Sequence, residues 1–135
     1  MDDQTRQFVR SRAEERCEYC HLPQAGHEER FSIDHVRPVK HGRDDSVSNL
    51  AFCCLRCNLC KGTNLSGIDH QSGEVVALFD PRSQSWRQHF RWNGPLIIGQ
   101  TPEGRATVSV MRMNASERVR LREALIAEGR LPLEN

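Results

Sequence analysis

A chain of 135 residues with 37% hydrophobic and 27% charged side chains can bury one core but hardly two. Its 19 basic and 18 acidic residues leave a formal net charge of +1, so global charge does not announce a nucleic-acid partner. No stretch has the length and apolarity of a membrane span. Any phosphate-binding surface must therefore come from placement. The excess of arginine over lysine, seventeen to two, suits bidentate phosphate contacts and equally reflects composition bias.

Taken in chain order, Thr5 to Glu15 reads as a helix with Phe8, Val9 and Ala13 on one side. Met1 to Arg16 is charged and lacks an apolar run of signal-peptide length, so reduced cysteines and a cytoplasmic location are expected. Phe31 to Val36 alternates like a half-buried strand, and Pro38 stops it. His41 to Ser46 is a polar loop. Asn49 to Phe52 returns to the core, and a short helix starting near Cys54 carries Asn58 and Lys61. Glu74 to Phe79 reads as a further strand, stopped by Asp80-Pro81. Leu96 to Ile98 and Arg105 to Met113 are expected to pair through a Thr101-Pro102-Glu103-Gly104 turn, with Ala106, Val108 and Val110 on one face. A last helix is capped by Asn114, with Glu117 completing an approximate capping box and Gly129 ending it. Trp86, Phe90 and Trp92 among arginines could stack on bases, but two tryptophans so close together more often build a secondary core; His89 between them is a poor catalytic candidate.

Six cysteines punctuate this pattern. Cys17-x-x-Cys20 and Cys54-x-x-Cys57 are two turns that each present a pair of sulfurs to one ion, and together they complete a tetrahedral zinc site. The 33 residues between Cys20 and Cys54 exceed the roughly 15–20 of a simple zinc ribbon, so something folded lies between the turns. Cys53 is adjacent to Cys54 and points elsewhere, while Cys57-x-x-Cys60 is an alternative turn if the register shifts. His21 is a possible replacement ligand with no vacancy to fill. His27, His41 and His70 are simplest as surface side chains.

Inside the cysteine frame stand Asp34-His35 and Asn49, with Asn58 just past its last cysteine. Residues 16–62, running Arg-Cys-Glu-Tyr-Cys, Phe-Ser-Ile-Asp-His-Val-x-Pro, Asn-Leu-Ala and Cys-x-x-Cys-Asn-x-x-Lys-Gly, closely resemble the zinc-framed HNH endonucleases. The resemblance implies an α+β fold: a ββα-metal (His-Me finger) core stapled by a four-cysteine zinc site, followed by a strand, hairpin and helix extension. One domain of residues 1–135 is expected, with the core in 1–66 and the extension in 67–135. The extension is similar to the tail of many small bacterial HNH proteins.

Residue by residue, the resemblance implies that His35 is the general base. Asp34 binds the catalytic divalent ion, Mg²⁺ or Mn²⁺. Asn49 braces the loop and helps orient the histidine. Asn58 stands where the last histidine of the family usually stands, and its amide oxygen would share the ion, making the chain an HNN variant. Cys17, Cys20, Cys54 and Cys57 hold structural Zn²⁺. The implied activity is metal-dependent hydrolysis of DNA phosphodiester bonds to 5′-phosphate and 3′-hydroxyl ends, with RNA ranked second as substrate. Lys61, Arg37, Lys40 and Arg43 lie close enough in sequence to contact the nucleic-acid backbone. The competing reading is a nonenzymatic zinc-stabilised module that binds nucleic acid or protein.

Overall fold

The computed structural model describes residues 1–134 as a mixed α/β assembly of five helices and three two-stranded antiparallel ribbons. Helix α1 (Asp3–Arg12) starts where Asp2 accepts from the Thr5 amide at 2.7 Å. It ends earlier than the sequence suggests, and only Val9 is buried; Phe8 stays half exposed with the Arg12 guanidinium over its ring.

The centre is a ribbon of β1 (Ser32–His35) and β2 (Leu50–Cys53), which leads directly into α2 (Leu55–Lys61). Register pairs Asp34 with Ala51 and His35 with Leu50. The connecting loop contains short 3₁₀ turns at Val39–His41 and Val47–Asn49. β2 is buried along its whole length, whereas on β1 Asp34 is buried and Ser32, Ile33 and His35 are half-buried, so of the Asp34-His35 pair only His35 faces reachable surface. Strands β3 (Ser66–Ile68) and β4 (Val75–Ala77) form a second ribbon. The expected strand beginning at Glu74 is therefore shorter, and its partner carries no strong sequence signal because Gly67 occupies its middle.

Past the four-residue α3 (Trp86–His89), β5 (Phe90–Asn93) pairs with β6 (Leu96–Gly99) across Gly94. The expected pairing of Leu96–Ile98 with 105–113 is incorrect: residues 102–110 form α4 (Pro102–Val110). Thr101 caps this helix by accepting from the Gly104 amide at 3.0 Å, and Pro102 sits in its first turn. The same Thr-Pro-Glu-Gly run satisfies a turn and a helix start, and tertiary packing selects the helix. A Cβ at Gly104 would collide with the His89 carbonyl oxygen, so only glycine allows α4 to meet α3 this closely.

Helix α5 (Ser116–Ala127) begins at Ala115 without a side-chain cap. Asn114, expected as the cap, instead clamps β6, accepting from the Ile97 amide at 3.0 Å and donating to its carbonyl at 2.8 Å. Glu117 pairs with Arg56 of α2 rather than closing a capping box. Gly129, with φ +70°, follows the helix end as expected.

One buried apolar cluster runs through Val9, Leu50, Phe52, Phe79, Phe90, Ile97, Met111 and Leu125. Trp86 stacks on His21 and donates its indole N–H to the Tyr19 carbonyl at 2.8 Å, so the aromatic segment is a packing element. No helix among the described residues is long and apolar enough to cross a membrane.

Candidate active site and its cysteine frame

The Sγ atoms of Cys17, Cys20, Cys54 and Cys57, all buried, lie within 4.8 Å of one another. The Cys20–Cys54 separation of 3.7 Å matches the edge of about 3.8 Å required by a tetrahedron with Zn–S bonds of about 2.3 Å. The donor set therefore fits structural zinc. Each pair is shaped locally: the Cys17 amide donates to the Leu22 carbonyl, and the Cys57 amide to Cys54 Sγ, which caps α2. Four thiolates around one Zn²⁺ carry an excess of two negative charges. Arg118, 6% exposed on α5, offsets this by placing its guanidinium 3.0 Å from Cys57 Sγ and 3.8 Å from Cys54 Sγ. Cys53 is buried outside the cluster and directs its thiol at the Cys54 carbonyl, while Cys60 remains outside and half-buried. His21 is no ligand; burial pushes its pKa down to about 4, leaving a neutral ring against Trp86.

Tyr19, inside the first cysteine turn, reaches β1. Its hydroxyl donates to Asp34 Oδ2 at 2.8 Å, and Lys61 of α2 places its ammonium 3.2 Å from both carboxylate oxygens. Burial raises the pKa of Asp34, and the Lys61 charge acts in the opposite direction. The same ammonium donates to the His35 carbonyl at 3.0 Å. On the other side, His35 Nε2 lies 2.8 Å from Asp45 Oδ1. Asn49 ties the loop together: it accepts from the Arg37 amide at 2.9 Å and donates to the carbonyls of Arg37 and Asp44 at 3.1 and 2.9 Å. Asn58 lies half-buried on α2, three residues before Lys61 and hence on the same helical side. Thus Asp34, His35, Asn49 and Lys61 are joined directly or through β1, and Asn58 shares the Lys61 side of the helix.

Residues 17–64 match the HNH endonuclease family model. No curated protein matches the chain.

The HNH segment contains every residue singled out for chemistry, with one correction. Lys61, expected at the nucleic-acid backbone, is 2% exposed and occupied by Asp34 and His35, leaving no surface for phosphate. Lys40, Arg37 and Arg43 are exposed; Arg37 and Arg43 rest on Asp44 and Asp45 at 3.3 and 2.9 Å. Such exposed pairs are worth little and separate readily. A cleft of about 560 Å³ is lined by Arg16, His21, Trp86 and Arg87 and includes no residue of 32–61. Sequence reasoning missed Asp45, Tyr19 and Arg118. Asp45 reads as an ordinary loop acid and Tyr19 as a spacer between cysteines, while no local pattern marks Arg118, which is 61 residues from Cys57.

Proposed function

We propose that the chain is a metal-dependent DNA endonuclease of ββα-metal architecture, folded as one domain over residues 1–135. The observation that carries this reading is the HNH match at residues 17–64, whose Asp-His pair lies on a ribbon that leads straight into the Asn58 helix. Asp34 and Asn58 supply hard oxygen donors suited to Mg²⁺ or Mn²⁺. A carboxylate has about four acceptor positions, and the contacts from Tyr19 and Lys61 take three, so Asp34 retains one. A divalent ion held there supplies neutralisation of charge on the phosphate and departing 3′ oxygen.

Among the chain's own groups, His35 removes a proton from the attacking water as oxygen bonds to phosphorus. The P–O3′ bond then breaks with its electron pair on O3′, which takes a proton from solvent, giving a 5′-phosphate and a 3′-hydroxyl. Asn49 holds the loop facing His35, Lys61 fixes the backbone at His35, and Arg37, Lys40 and Arg43 contact backbone phosphates. The burial of Asp34 and its pairing with Lys61 and Tyr19 favour a second reading, a zinc-stabilised binding module without cleavage. Supercoiled-plasmid cleavage with Mg²⁺ or Mn²⁺ separates the two. The nuclease reading expects nicking that EDTA abolishes and that His35→Ala lowers at least about 100-fold with zinc content unchanged. Equal cleavage by the His35→Ala protein, or no cleavage by zinc-loaded wild type on plasmid or single-stranded substrates, overturns it.

A further inference from the structure

We infer that Asp45 is the positioning residue for the base: it accepts the Nε2 proton of His35, so that Nδ1 is the nitrogen that takes the proton from water. This rests on the reading of His35 as general base and adds a residue and an atom to it. A neutral imidazole has one donor and one acceptor nitrogen, and an ionised carboxylate can only accept. The 2.8 Å contact between Nε2 and Asp45 Oδ1 therefore makes Nε2 the protonated atom and leaves the Nδ1 lone pair. No protein group among the described residues bonds Nδ1, and the His35 side chain is 19% exposed, enough for water to reach it.

Both partners are held. The His35 backbone is fixed by its pairing with Leu50 and by the Lys61 ammonium on its carbonyl. Asp45 follows Asp44, whose carbonyl accepts from Asn49 and whose carboxylate accepts from the Ser46 amide and hydroxyl at 3.0 and 2.6 Å. The exposed Arg43, whose pairing adds little hold of its own, donates to the second Asp45 oxygen at 2.9 Å and so does not occupy Oδ1, which is left for the imidazole. Asn49 thus acts on the histidine through the loop that presents Asp45. An incidental surface ion pair would need none of this bracing, and one half-exposed pair would hardly alter function.

The experiment compares wild type, Asp45→Asn and Asp45→Ala as zinc-loaded full-length proteins. It measures plasmid-nicking kinetics and records the ¹⁵N imidazole spectrum, with the His35 signals identified by their loss in His35→Ala. The expected result is an Nε2–H tautomer in wild type, lost in Asp45→Ala. Both Asp45 variants should show kcat lower by about 10- to 100-fold with KM within about twofold, the size of a misoriented base. An Nδ1–H tautomer in wild type overturns the assignment. Undiminished kcat in both variants overturns the positioning role, and a faster Asp45→Ala overturns it in favour of a plug over the base. Failure of the nuclease reading is distinguishable: wild type then cuts nothing even where the spectrum shows the Nε2–H tautomer, and the inference falls with it.

Discussion

Lys61 ends α2 with its charge enclosed between a carboxylate and a backbone carbonyl, and breaking such an arrangement costs more than the arrangement itself contributes. Lys61→Ala leaves Asp34 buried beside Tyr19 without its cation, and the expected loss is about 3 kcal/mol in urea unfolding. A double replacement, Asp34→Asn with Lys61→Met, should recover much of that loss because it removes both charges. A Lys61→Ala protein as stable as wild type would show that water already shares the site. The four-cysteine cluster and its Cys-x-x-Cys turns were legible because their geometry depends on spacing within short stretches, and the proximity of Asp34-His35 to Asn49 follows from one strand pairing and one loop. Lys61 was legible as a residue but not in its role, since lysine is ordinarily a surface side chain. Asp45 was not legible: contact across the loop depends on how Asn49 folds it.

At the scale of elements, local signals succeeded where they agreed with packing. The β1, β2 and α2 segments have alternation, a proline stop and a cysteine cap that point the same way, whereas residues 102–110 offer a turn signal and an alternating pattern that both mislead. What fixes α4 is its fit against β6 and the β3–β4 ribbon, which no window of neighbouring residues reports. Arg105 of α4 forks onto Asp69 at the start of the β3–β4 turn, with contacts of 2.9 and 3.0 Å, and Ser72 adds a third. The Arg105 contact holds the Asp69 carboxyl well below the usual carboxylate range, against the opposing effect of burial. A depressed native pKa means that the unfolded chain binds the proton first. The stabilisation is thus complete above the ordinary value of about 4 and is lost as pH falls below it. Wild type should therefore lose urea stability more steeply than Asp69→Asn as pH drops from about 5 toward 2. Parallel pH profiles would show that the fork contributes nothing to folding.

Across the whole molecule, the HNH segment and the remainder are tied at several points. Arg82 bonds Glu18 and the Leu50 carbonyl, Trp86 bonds the Tyr19 carbonyl, and Arg118 meets the zinc-ligand sulfurs. Structural zinc contributes on the order of 10 kcal/mol, comparable to the stability of an entire domain. Stripping the metal with a strong chelator should therefore abolish the cooperative transition and release Trp86 and Trp92 to solvent, with one equivalent of Zn²⁺ restoring both signals. A chelated chain that keeps its near-ultraviolet circular dichroism would refute this. Tyr19 gives the arrangement a mechanical sense. Its ring spans from the Cys17–Cys20 turn to the Asp34 carboxylate like the arm of a lever, with the four-cysteine cluster, which fits zinc, as its fulcrum. Exchanging the ion for one of larger radius would reset that fulcrum, and the displacement would be delivered to the carboxylate by a side chain too stiff to absorb it.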